Sequence, residues 1–96
     1  MTVKMQFRKN KFGTASFSKI IDAFYLAAED SFEIRFLNGI VYPVENSAIK
    51  KSNHIKGNPR VERVEVDKEL GSGFYVYYDD GQKAEASWEF VMEDSP

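Results

Sequence analysis

A run of alternating apolar residues that ends in the same kind of turn occurs twice in this chain, and that recurrence limits the available folds more than any other feature. Phe32-x-Ile34-x-Phe36-x-Asn38-Gly39 returns forty-two positions on as Phe74-x-Val76-x-Tyr78-x-Asp80-Gly81. Alternation at period two marks a strand with one buried face, and Asn-Gly supplies the positive φ pair of a two-residue hairpin. Either duplication or the convergence of two hairpins produces such a pair. The first hairpin returns through residues 40–44, where Pro43 marks an edge position or the strand's end, since proline cannot donate to a ladder. A meander with strands near 61–67, 74–78 and 84–91 follows, broken at Leu70-Gly71-Ser72-Gly73 and Asp79-Asp80-Gly81. Residues 45–60 carry Asn, Ser, Lys, Gly and Pro and read as a long surface loop, and everything after Met92 as a frayed tail.

Upstream the pattern is less decided. Val3, Met5 and Phe7 alternate with Lys4, Gln6 and Arg8, predicting a further strand, with a turn at Asn10-Lys11-Phe12-Gly13. Phe17, Ile20, Ile21, Phe24 and Ala28 then recur at helical spacing behind Ser16, an available N-cap. Carried through, the duplication gives residues 19–26 the role of strand 61–67 instead. The fold class expected is α+β: an antiparallel sheet of five to six strands built from β-hairpins, with one helix near residues 17–29 packed on one face. Ninety-six residues suffice for a single domain with one modest core. Eight Phe, five Tyr and one Trp supply much of its apolar area.

The absence of cysteine excludes disulfides and thiolate metal sites and suits a reducing, cytoplasmic setting. The first residues lack the apolar core of a signal peptide, and no run approaches the roughly 18 apolar residues of a membrane span. Charge is blocked along the chain. Residues 1–19 and 46–60 hold only basic groups, whereas residues 61–96 hold ten acids against Arg63, Lys68 and Lys83. The lone His54 has no partners at metal-ligand spacing, no serine sits in a nucleophile elbow, and Asp79-Asp80-Gly81 is turn chemistry. No catalytic, metal or cofactor site is therefore expected.

Two groups of residues stand out as binding candidates. If Phe74, Val76 and Tyr78 point inward, Tyr75 and Tyr77 point outward beside Arg63 and Glu65, and exposed tyrosines suit a protein partner. Lys50, Lys51, His54, Lys56 and Arg60 could hold the anionic groups of a small phosphorylated ligand or nucleotide. Long nucleic acid fits less well, because the overall pI is 5.4. The function expected is a small non-enzymatic binding or regulatory module, an adaptor or inhibitor, that docks a macromolecule through its aromatic sheet face or a sheet edge. A homodimer is one form such docking could take.

The hairpins also carry two resemblances. Residues 32–39, the stretch Asn58-Pro59-Arg60-Val61 to Asp67, and Gly73 to Gly81 resemble a small bacterial family catalogued as domain of unknown function 2442. In that family a strand runs into a Phe-x-Asn/Asp-Gly hairpin and a second hairpin follows. The likeness covers about two-thirds of the chain. Val61 stands where the family tends to have Phe, Tyr77 or Tyr78 where Trp is usual, and residues 1–18 have no counterpart. It implies no activity. Val64 to Asp67, Gly73 to Gly81 and Trp88 are also similar to the middle strands of Tudor-type SH3-like barrels. That second resemblance implies an aromatic cage, made by Tyr75, Tyr77 or Tyr78 with Trp88, for a methylated side chain.

Overall fold

The structure is a computed structural model that describes residues 19–94; the strand expected at 3–7 and the turn at 10–13 lie outside the described residues. Six strands and two short helices follow in the order β1 (Ile20–Leu26), β2 (Ser31–Phe36), β3 (Val41–Glu45), α1 (Asn46–Ser52), β4 (Val61–Val66), β5 (Gly73–Tyr78), β6 (Lys83–Ser87) and α2 (Trp88–Asp94). They form a βββα unit used twice. The strands do not join into the single sheet of five to six expected. They make two separate three-stranded antiparallel sheets, β1-β2-β3 and β4-β5-β6, within an overall α+β fold. Each unit completes its own meander, and a helix then ends the run of pairing.

The forty-two-residue offset carries β2, β3 and α1 onto β5, β6 and α2 residue for residue. Both hairpin turns have one geometry. The Gly39 N–H bonds to the Phe36 carbonyl at 2.9 Å and the Phe36 N–H to the Ile40 carbonyl at 3.0 Å; Gly81 with Tyr78, and Tyr78 with Gln82, repeat the pair at 3.1 and 2.9 Å. Within these two turns only Gly39 (φ 88°) and Gly81 (φ 93°) take the left-handed conformation, and neither Asn38 nor Asp80 shares it. The connection is thus a three-residue loop closed by a glycine bulge, not a two-residue hairpin. Pro43 sits on β3, an edge strand, where a missing donor costs no ladder bond.

The helix expected near 17–29 is corrected over its described part: residues 20–26 are β1, paired with β2, and 27–30 form the turn between them. The misleading spacing has a local cause. Of the residues that recur at helical spacing, Ile20 faces the core but Ile21 and Phe24 are exposed apolar side chains of a strand, and a bulge between Ile20 and Asp22 makes the inward positions Ile20, Ala23 and Tyr25. β4 has the same bulge between Val61 and Arg63 and turns Val61, Val64 and Val66 inward. Two stretches expected otherwise are helical. Residues 46–52, assigned to the surface loop, form α1, and the strand expected to run to 91 stops at Ser87, where α2 begins.

Both helices pack on the third strands of both units, and β1 lies beside β4. The two inner sheet faces therefore close on one core, to which each unit contributes six buried apolar residues: Ile20, Phe32, Ile34, Phe36, Val44 and Ile49 from the first, and Phe74, Val76, Tyr78, Ala84, Ala86 and Val91 from the second. The equivalent rings Phe32 and Phe74 meet near its middle, with centroids 6.0 Å apart.

Candidate functional site

Because Phe74, Val76 and Tyr78 fill the inner face of β5, strand alternation turns Tyr75 and Tyr77 to the outer face, where both are half-buried. Strand register sets their neighbours. Arg63 on β4 and Lys83 on β6 lie opposite Tyr77, and Glu65 and Glu85 lie opposite Tyr75. The Arg63 guanidinium rests 3.8 Å from the Tyr77 ring centroid, and the Lys83 ammonium lies 4.5 Å from the Tyr75 ring and 5.4 Å from the Tyr77 ring. The Tyr77 hydroxyl donates to Glu65 Oε1 at 3.1 Å, and Arg63 bridges Glu65 Oε2 at 3.2 Å. Each exposed cation–π contact contributes about 0.5–1 kcal/mol. The exposed ion pair adds less. Together they restrain both rings on the outer face.

Lys83 belongs to this group although sequence reasoning passed over it. Only the β5–β6 register places it across from Tyr77. The four aromatics of the cage reading do not share a face. Tyr78 is fully buried, with its hydroxyl donated to Asn46, and Trp88 packs against the core, whereas Tyr75 and Tyr77 face outward.

The basic segment is tied down rather than loose. Lys50 and Lys51 occupy the last turn of α1, where positive charge suits the helix dipole. Lys50 Nζ donates to Asn58 Oδ1 at 3.2 Å and lies 5.8 Å from the Tyr78 ring. The Asn53 side chain bonds both backbone groups of Glu85 on the edge strand β6, at 3.0 and 3.1 Å, and the Gln82 side chain does the same for Lys56, at 2.9 and 2.8 Å. The Arg60 N–H bonds Asp79 Oδ1 at 3.1 Å and the His54 N–H bonds the Lys51 carbonyl at 3.3 Å. The backbone N–H groups of His54, Lys56 and Arg60 are thus already engaged. The Lys51, His54, Lys56 and Arg60 side chains project into solvent without a hydrogen bond or ion pair among the described residues.

A second polar group, unforeseen from sequence, stands where α1 begins. Asn46, only 2% exposed, donates from Nδ2 to Asp30 Oδ1 at 3.0 Å and accepts from the Tyr78 hydroxyl at Oδ1 at 2.8 Å. The Tyr25 hydroxyl also donates to Asp30 Oδ1, at 2.6 Å. The Tyr25 bond, helped by that from Asn46 and the charge of Lys50, outweighs burial and holds the Asp30 carboxyl below its usual range. The same hydrogen bond, then burial, pushes the Tyr25 phenol up to about 12; burial, then the Asp30 charge, does the same for Tyr78. The group joins the β1–β2 turn, α1 and β5, and with every member bonded it locks the two units in register.

Among the described residues no cluster of three or more His, Asp or Glu side chains could hold a metal, and no helix is long and apolar enough to cross a membrane. No known protein family, curated protein or solved structure matches the chain.

Proposed function

We propose that the chain is a non-enzymatic docking module that captures a protein partner on the outer face of its second sheet. The supporting observation is the arrangement of Tyr75 and Tyr77 on the central strand, each under a cation from an edge strand. Tyrosine offers a large ring, a hydroxyl and few rotamers. Rings already fixed by Arg63, Lys83 and Glu65 lose little further entropy on binding, so more of the contact energy appears as affinity. Acids and bases alternate around them, with Arg63 and Lys83 at one level and Glu65 and Glu85 at the next. Such a rim selects a partner by complementary charge and steers its approach. The reading also explains why the rings can wait in water, since their own sheet covers part of each.

The test is the double substitution Tyr75→Ser, Tyr77→Ser in the full chain. A partner recovered with the wild-type chain, purified and titrated, should bind the variant at least tenfold more weakly, while the melting temperature stays within a few degrees. Unchanged affinity would refute the reading, and a collapse of the fold would show the rings to be structural.

A further inference from the structure

The duplication makes the second unit a control for the first. Among the described residues the exposed large apolar side chains, Leu70 apart, all belong to the first unit: Phe24 and Leu26 on β1, Val41 on β3, Ile21 at the bulge, and Leu37 and Ile40 in the hairpin. At the matching places of the second unit stand, in the same order, Glu65, Asp67, Lys83, Glu62, Asp79 and Gln82. The backbone is the same and the polarity is reversed. The fold accepts charged or polar groups at all six positions, so nothing in folding itself requires the first unit to be apolar there. Yet Phe24 is 42% and Val41 43% exposed. On the outer side Phe24, Leu26 and Val41 flank a charged central strand, with Asp22 opposite Arg35, and such a concentration of exposed apolar groups on one unit marks a contact surface.

We infer that a second copy of the chain covers this face, forming an isologous homodimer through the outer side of β1-β2-β3. The choice of occupant rests on the charges at the centre. Glu33 and Arg35 are neighbours on the outer side of β2, their side chains 3.6 Å apart and each substantially exposed, a contact of little value in water. A two-fold axis lying in the interface, across the strands at the level of Ile34, sets β2 antiparallel to its copy and Arg35 of each chain opposite Glu33 of the other. One acid and one base astride the axis make the centre of the face complementary to itself. Arg35 also lies 5.2 Å from the Phe24 ring, so the central charges and the apolar flank form one patch. The second sheet has Tyr75 and Tyr77 in these places and no such reciprocity. Three strands about 4.8 Å apart and six residues of about 3.3 Å give a patch roughly 14 by 20 Å. That is well below the about 800 Å² per partner of a standard interface, so the dimer exchanges and depends on concentration.

This inference is independent of the tyrosine-face reading. Sedimentation of the full chain from micromolar to millimolar concentration should show a reversible monomer–dimer equilibrium, which Tyr75→Ser with Tyr77→Ser leaves unchanged. Glu33→Arg and Arg35→Glu should each weaken self-association at least tenfold. Arg35→Glu should do so more strongly, because Asp22 stands opposite that position on β1 and adds a third acid. An equimolar mixture of the two variants should recover a dimer containing one of each, which also proves that both are folded. A wild-type chain that stays monomeric throughout overturns the inference, including the case in which its own residues 1–18 cover the face. A dimer indifferent to both charge reversals overturns it equally.

Discussion

The two units share a backbone down to the bulge in their first strands and the glycine in their hairpins, yet their outer faces are inverted. In the first unit a Glu33–Arg35 pair occupies the central strand and apolar residues flank it; in the second, Tyr75 and Tyr77 occupy the centre and charges flank them. Most inner positions show no such divergence: Phe32 and Phe74, Ile34 and Val76, Phe36 and Tyr78, and Ile49 and Val91 are close substitutes at equivalent positions. One shared core holds the inner residues to size and shape. The outer residues are free of that constraint, and there the two copies of one backbone have diverged.

If the core is shared equally, the sharpest way to break the comparison lies at its centre. Phe32→Ala and Phe74→Ala should each cost about 3–5 kcal/mol in urea unfolding, with similar losses from the two sides. A much smaller loss at either ring would mean that the units do not depend equally on the common interior. The next largest effect is expected where the units differ inside. Asn46 matches Trp88, and its amide joins Asp30 to Tyr78. Asn46→Ala leaves the buried Tyr78 hydroxyl unpaired and should cost about 1–3 kcal/mol. A loss below that range would mean water replaces the amide.

The same group gives the fold a pH dependence carried by Asp30 and Tyr25 from the first unit and Tyr78 from the second. Asp30 is more acidic in the folded chain than in the unfolded one, so its contribution is complete above the usual carboxylate value of about 3.9 and is lost as pH falls through the lower folded value. Tyr25 and Tyr78 keep their protons up to about 12 in the folded chain, whereas the unfolded chain releases them from about 10. Their contribution is full below the unfolded value and is lost between the two. Urea midpoints measured across pH should show both limbs, and Asp30→Asn should flatten the acid one.

How much of this was legible in the sequence follows from what each feature depends on. The β2 and β5 strands and their hairpins announce themselves, because period-two patterning and turn chemistry are local. β1 did not, since its exposed Ile21 and Phe24 complete a helical spacing with the buried Ile20, and only pairing with β2 decides the matter. The repeat held the answer in its alignment of 19–26 with 61–67. The short helices were hidden for a similar reason. Trp88 and Phe90 continue the alternation of Ala84 and Ala86, and even the Trp88 N–H still bonds the Ser72 carbonyl at 2.9 Å in the β5–β6 register, as the Asn46 N–H bonds the Asp30 carbonyl at 3.1 Å in that of β2–β3, so nothing local marks where the strand gives way to the helix. In the candidate site, parity alone exposed Tyr75 and Tyr77, whereas Lys83 required the register of a third strand.

The doubled unit stands or falls on residues 20–26. Backbone chemical shifts and cross-strand Overhauser contacts, measured by NMR on the full chain, should give extended shifts throughout this segment and contacts pairing Phe24 with Glu33 and Tyr25 with Phe32. Helical shifts there, with sequential contacts at three- and four-residue spacing and none across to β2, would contradict the duplication and the comparison built on it.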